Sequence, residues 1–227
     1  MKTRILAVVA ALAMSLPAYA QLDLISNQDA TSGLRAALEK GAGAAVELLG
    51  KQDGFFGNQK VKIPLPESLA KVEKLMHNFG MGKQADELVM TMNRAAESAM
   101  PEAKKLLVDA VKKMSVQDAK GILTGGEDSA TQYFRRTTSD PLRERFLPIV
   151  KKATAKVKLA EKYNQYADKG VKFGLVKKED ANLDNYVTQK ALDGLFVMVA
   201  EEEKKIRQNP AQAASNIISK VFGALKK

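Results

Sequence analysis

The chain has 227 residues, with 36 lysines and arginines against 26 aspartates and glutamates, and it has no cysteine. The missing cysteine excludes disulfides, thiolate nucleophiles and cysteine-ligated metals. It also excludes a lipid anchor attached at a cleavage-site cysteine, so an exported form must be held together by its core alone.

The first twenty residues read as a targeting segment. Lys2 and Arg4 give a charged start, "ILAVVAALAMSL" (residues 5–16) is an apolar run of twelve, and "PAYA" ends it with Ala18 and Ala20. Small residues at those two positions are what signal peptidase reads. A membrane span needs ~20 apolar residues, so the run is too short to be one. The expectation is a cleaved secretory signal (residues 1–20), cleavage after Ala20 and a periplasmic mature chain from Gln21, with no transmembrane segment. That chain carries 34 basic and 26 acidic residues, a net charge of +8. The charge is concentrated. From Arg135 to Lys178 there are thirteen basic residues, opposed only by Asp140, Glu144, Glu161 and Asp168.

Beyond the signal the pattern is helical. Leu34, Leu38, Ala42, Ala45 and Leu49 recur at three- and four-residue spacing, the period of one helix face, with Ser32 as expected N-cap and Gly50 as expected terminator. "KQDGFFGNQKVKIPLP" (residues 51–66) breaks that pattern with turn dipeptides; "KVKI" alternates like a short strand and Pro64 and Pro66 end it. Phe55 and Phe56 lie between glycines there, and the expected arrangement is a loop that folds back to plug the bundle. "ESLAKVEKLMHNFG" and "KQADELVMTMNRAAESAM" read as the next helices, and Pro101 as the start of another. "SVQDAKGIL" opens with Ser115 and has Asp118 three residues on, a near capping box. "TGGED" lacks the lysine and spacing of a phosphate loop; it reads as a turn whose acids cap the helix after it.

"YFRRTTSDPLRERF" (residues 133–146) holds four arginines. Its expected structure is a seam. One helix ends at Arg135 and Arg136, whose charges suit a C-terminal dipole, and the next starts at Ser139 or Asp140 with Pro141 in its first turn. Leu142, Phe146, Ile149, Ala153, Val157 and Ala160 would form the apolar face of that next helix, with Pro148 as a kink. A last long helix is expected from about Leu183 to about Gln208, with Glu201–Lys205 and Glu203–Arg207 as i,i+4 pairs, and a short helix after Pro210. The fold class is therefore all-α: a single-domain helical bundle (residues 21–227) with one irregular, β-like insert near residues 53–66.

Several of these stretches occur together and in order: "LRAALEKGAGAAVELLGKQDGFFGNQKVKIPLP", "MNRAAESA", "DAKGILTGG", "ATQYFRR" and "YVTQKALDGLFVMVAEEEKKIRQNP". In this the chain resembles the exported bacterial family catalogued as domain of unknown function 4197. The resemblance spans nearly all of the mature chain. It implies a helical fold and a bacterial envelope location, and it implies no activity.

No motif names a reaction. His77, the one histidine, has Glu73 four residues earlier, but one histidine and one glutamate fall short of the three protein ligands of a zinc site, and no nucleophile elbow accompanies them. No catalytic residue, metal or cofactor is assigned. Two sets of residues remain as candidate sites. Arg143, Arg145, Lys151, Lys152, Lys156, Lys158 and Lys162 form a candidate anion-binding surface. Arg94, Glu97, Tyr133 and Arg135 form a candidate polar pocket. The leading expectation is a monomeric, non-enzymatic periplasmic protein that binds anionic lipid head groups, lipopolysaccharide or an acidic protein through the basic surface; nucleic acid is not an expected partner of an exported chain. The alternatives are a small-molecule or lipid carrier with an apolar inter-helix cavity, for which the nine methionines would serve, and an unrecognised hydrolase.

Overall fold

The computed structural model describes residues 27–67, 69, 82–172, 176–177 and 181–209. Six helices lie among them: α1 (Asn27–Gly50), α2 (Gly82–Lys113), α3 (Val116–Thr124), α4 (Ser129–Thr154), α5 (Lys158–Lys172) and α6 (Leu183–Gln208). The four long ones, α1, α2, α4 and α6, alternate in direction. Arg35 near the start of α1 bonds the carbonyl of Met114 just beyond the end of α2, and the Tyr133 hydroxyl near the start of α4 donates to the Ala110 carbonyl (2.7 Å). The first turn of α4 meets Glu203 late in α6, while Thr154 at its end donates to Asp184 at the start of α6. The result is an all-α bundle in which each long helix runs against its neighbours, and its centre is filled by Leu34, Leu88, Met92, Met100, Phe134, Phe146 and Phe196.

The expected face of α1 is buried at all five positions, and α6 has the expected bounds. Ser32 is not the N-cap of α1: the helix starts at Asn27, because Ala30 and Thr31 already pack into the core. Pro101 does not start a helix either. It lies inside α2, where it cannot serve the carbonyl of Glu97. That carbonyl and the Pro101 ring stand 3.9 and 4.0 Å from where a side chain on Gly50 would begin, so the freed backbone packs directly on the end of α1.

The seam expected at Ser139–Pro141 is absent; α4 runs unbroken through both Pro141 and Pro148. The hydroxyl expected to cap a new helix at Ser139 instead donates back to the Arg135 carbonyl, and Thr137 and Thr138 bond back in the same way to Tyr133 and Phe134. Burial explains the continuity. Phe134, Thr138, Leu142, Phe146, Val150 and Thr154 are all buried, each four residues after the last. This is an i,i+4 ridge, which winds slowly around the helix and packs at an angle to its neighbours. Ile149 and Ala153, which a 3.6-residue period would bury, are only half-buried. The helix also ends earlier than expected. Lys156 and Val157 make tight i→i−3 bonds to Ala153 and Thr154, and α5 leaves as a separate helix held through Val157, Ala160, Tyr163 and Ala167.

The insert is irregular and plugs the bundle, as expected, but no strand forms among the described residues. Ile63 pairs with a side chain instead: its N–H donates to Asn93 Oδ1 (2.8 Å) and its carbonyl accepts from Asn93 Nδ2 (2.9 Å). One buried amide thus supplies both bonds that a neighbouring strand would supply. Phe55 is fully buried and its ring rests against Gly194 of α6. Phe56 is half-buried beneath Lys62, whose Nζ lies 4.4 Å from the ring centre.

Candidate functional site

Two buried carboxylates organise the polar interior. Glu97 accepts the N–H groups of Phe55 and Phe56 through Oε1 (3.1 Å each) and Arg94 Nη1 through Oε2 (2.7 Å). Arg94 continues to Asp53 (2.7 Å), and these two bonds, to Glu97 first, raise the guanidinium pKa further above its ordinary value. Asp53 has φ 64°, so its ion pair holds a residue in the left-handed region. Glu203 works in the same way at the other end. It accepts the N–H of Ala130 (3.0 Å), the N–H of Thr131 (2.9 Å) and the Thr131 hydroxyl (2.8 Å), and Arg207 clamps it from the next turn (2.8 Å).

The Glu203 contacts correct the reading of "TGGED". Asp128 occupies the N-cap position of α4 but makes no capping bond; its carboxylate accepts from Gln132 instead. The cap comes from α6, 73 residues away. By contrast Ser115 and Asp118 form the complete reciprocal box expected at α3, and the bonds from Ser115 hold the Asp118 carboxyl below its usual range.

The candidate polar pocket does not assemble. Arg94 and Glu97 secure the insert, while Tyr133 bonds Ala110, which lies ~20 Å beyond Glu97 along α2 at 1.5 Å per residue. Burial first, and then the charge of Asp118, raises the Tyr133 phenol above its ordinary pKa, so it stays a neutral donor. Arg135 faces a third neighbourhood: it stacks over the Phe196 ring (4.7 Å) and pairs with Asp193 (3.6 Å). Arg136 pairs with Asp118 (3.1 Å). Neither arginine sits at a helix C-terminus. They lie in the second turn of α4, where the dipole opposes a cation and these side-chain partners offset it.

The residues of the candidate anion-binding surface are all exposed. Arg143, Arg145, Lys151, Lys152, Lys156, Lys158 and Lys162 all face solvent, and none meets a carboxylate among the described residues; Arg143 bonds the neutral amide of Gln189 (2.5 Å). The surface is not one helix face, as the sequence pattern suggested. Arg143 to Lys152 stand on α4, Lys156 on the turn, and Lys158 and Lys162 one turn apart on α5. Lys151 and Lys152 fall in the last turn of α4, where they also complement its dipole.

His77 and Glu73 lie outside the described residues, as does the short helix expected after Pro210. Among the described residues no group of three or more His, Asp and Glu side chains could hold a metal ion, and no helix is long and apolar enough to cross a membrane. Met92, Met100 and Met114 are buried in the core, and the described surface clefts are lined by charged as well as apolar side chains. The periodicity missed Asn93, Tyr186 and Gln189, whose contacts are with residues remote in the chain.

No curated protein and no solved structure matches the chain at a significant level. The family model described as "Protein of unknown function (DUF4197)" matches residues 24–223, and the protein is a member of that family.

Proposed function

We propose that the protein is a non-enzymatic helical protein of the bacterial periplasm that binds an anionic component of the envelope through its basic surface. The observation that carries this reading is the set of seven exposed cations on α4, α5 and their junction, none facing a carboxylate among the described residues. Surface cations kept only for solubility are usually interspersed with acids, and unpaired ones repel each other. Near an anionic lipid surface each such residue contributes about 1 kcal/mol. Lipid head groups and lipopolysaccharide phosphates suit an exported chain, and the charged start, short apolar run and A-x-A ending support export.

Reversing Lys151, Lys158 and Lys162 to glutamate should leave helicity and melting nearly unchanged, because all three are exposed. It should abolish co-sedimentation with anionic vesicles or lipopolysaccharide. Wild-type binding should weaken steeply from low to high salt, since the Debye length shrinks to about 8 Å at 0.15 M. Absence of wild-type binding at that salt, or equal binding by the triple variant, defeats the proposal. Intact-mass measurement of protein recovered from the periplasm should give Gln21 as the first residue; retention of residues 1–20 would contradict export by cleavage.

A further inference from the structure

A cleft of about 450 Å³ lies between the Pro64–Glu67 end of the insert and the N-terminal half of α6. A volume of that order suits a small ligand. Its floor is apolar: Pro64, Leu65 and the ring of Tyr186, whose hydroxyl is tied to the Pro64 carbonyl (3.1 Å). Its rim is ionic. Glu67 pairs with Lys177 (3.6 Å), and Asp193 pairs with Arg135 (3.6 Å). Both acids therefore already have cations.

Lys190 in the lining, and Arg143 bonded to the lining residue Gln189, meet no carboxylate among the described residues. Lys190 holds its ammonium 5.7 Å from the centre of the Tyr186 ring. Arg143 reaches across from α4 to the Gln189 side-chain oxygen, and the amide nitrogen of Gln189 donates to Asp193 (3.0 Å). Gln189, which lines the cleft, is thus fixed from both sides. The lining combines acids that already have cations, one lysine left over, and aromatic and proline surface. A head of negative charge fits against Lys190, and an apolar body fits on Tyr186, Leu65 and Pro64.

We propose that this cleft binds a small amphipathic anion, with a carboxylate or phosphate head and an apolar body. The proposal does not rest on vesicle binding by the basic surface, and Lys190 lies outside that surface. The test is calorimetric titration of the full mature chain with decanoate and with dihexanoyl phosphatidate, each below its micelle concentration, and with inorganic phosphate as a head without a body. Wild type should bind at least one of the two amphiphiles saturably, one per chain, and more tightly than inorganic phosphate. The tighter of the two identifies the head.

Lys190→Glu should weaken that binding about tenfold or more, the usual loss when a charge-assisted bond is replaced by repulsion. Lys190 is exposed, so circular dichroism should show unchanged helicity in this variant. Glu67→Gln, which frees Lys177, should bind at least as tightly as wild type. The Lys151, Lys158 and Lys162 triple reversal should bind the amphiphile like wild type even when it no longer binds vesicles. No saturable binding by wild type, equal affinity in Lys190→Glu, weaker affinity in Glu67→Gln, or inorganic phosphate binding as tightly as the amphiphile would each overturn the proposal.

Discussion

Glu203→Ala is expected to destabilise the protein by about 3–5 kcal/mol, the range for removing one partner of a buried ion pair. The side chain is only 5% exposed, so water cannot replace it. Its loss leaves the N–H groups of Ala130 and Thr131 and the Thr131 hydroxyl without their acceptor, at the start of a helix that has no other side-chain cap. It also takes from Arg207 its carboxylate partner, while the bonds to the Ile122 carbonyl and the Ser129 hydroxyl stay. Domains of this kind are stable by about 5–15 kcal/mol, so the loss would be a large fraction of the total. Glu203→Gln keeps an acceptor and should lose less. Urea unfolding followed by circular dichroism measures both. A midpoint for Glu203→Ala within error of wild type would mean that α4 does not depend on this remote cap. A double-mutant cycle with Arg207→Ala would separate the ion pair from the cap.

Gly194→Leu is expected to cost about 1–3 kcal/mol through overpacking. An added Cβ on Gly194 would stand 2.6 Å from Phe55 Cε1 and 3.2 Å from Val61 Cβ. The Phe55 ring has little freedom to retreat, because it is fully buried and its backbone N–H is bound to Glu97. Gly194→Ala poses the sharper question. Alanine favours the helix by about 1 kcal/mol over glycine. The clash with Phe55 should exceed that gain, so the variant should still be less stable than wild type. In a Phe55→Leu background the ring is gone, and the same Gly194→Ala change should become neutral or stabilising. Equal effects in both backgrounds would show that Phe55 does not set the requirement for glycine. The two unfolding midpoints decide it.

The same contact shows where sequence reading succeeds and where it stops. Gly194 is marked in the sequence by its neighbours: a glycine among Leu192, Leu195, Phe196 and Met198 weakens a helix unless something packs against it. The sequence does not say that the packing partner is Phe55, from a loop 139 positions earlier. The expected Glu201–Lys205 pair does not form, because Glu201 pairs with Lys60 and Lys205 with Glu202; the expected Glu203–Arg207 pair does, and Arg94 and Glu97, one turn apart, pair as well. That Glu97 and Glu203 each also seize two backbone N–H groups of another segment was not legible, because no local spacing encodes it.

Local signals were right where local forces decide. The five-residue face of α1, the bounds of α6 and the Ser115–Asp118 box each depend on side chains within a turn or two, and so does the all-α class. They failed at Pro101, Pro141 and Pro148. Proline weakens a helix locally, but in α2 and α4 the buried residues on either side continue into one core, and their burial outweighs the missing bonds. The apolar face of α4 was misplaced for a related reason: a helix that crosses its neighbours buries an i,i+4 ridge, and only the neighbours determine the crossing. The basic surface stands between these cases. Its charge is plain in the sequence, and a run of lysines near a helix end is exposed in most packings. Its shape, divided over two helices and a turn, and the meeting of Arg143 with Gln189 beside Lys190, were decided by the bundle alone.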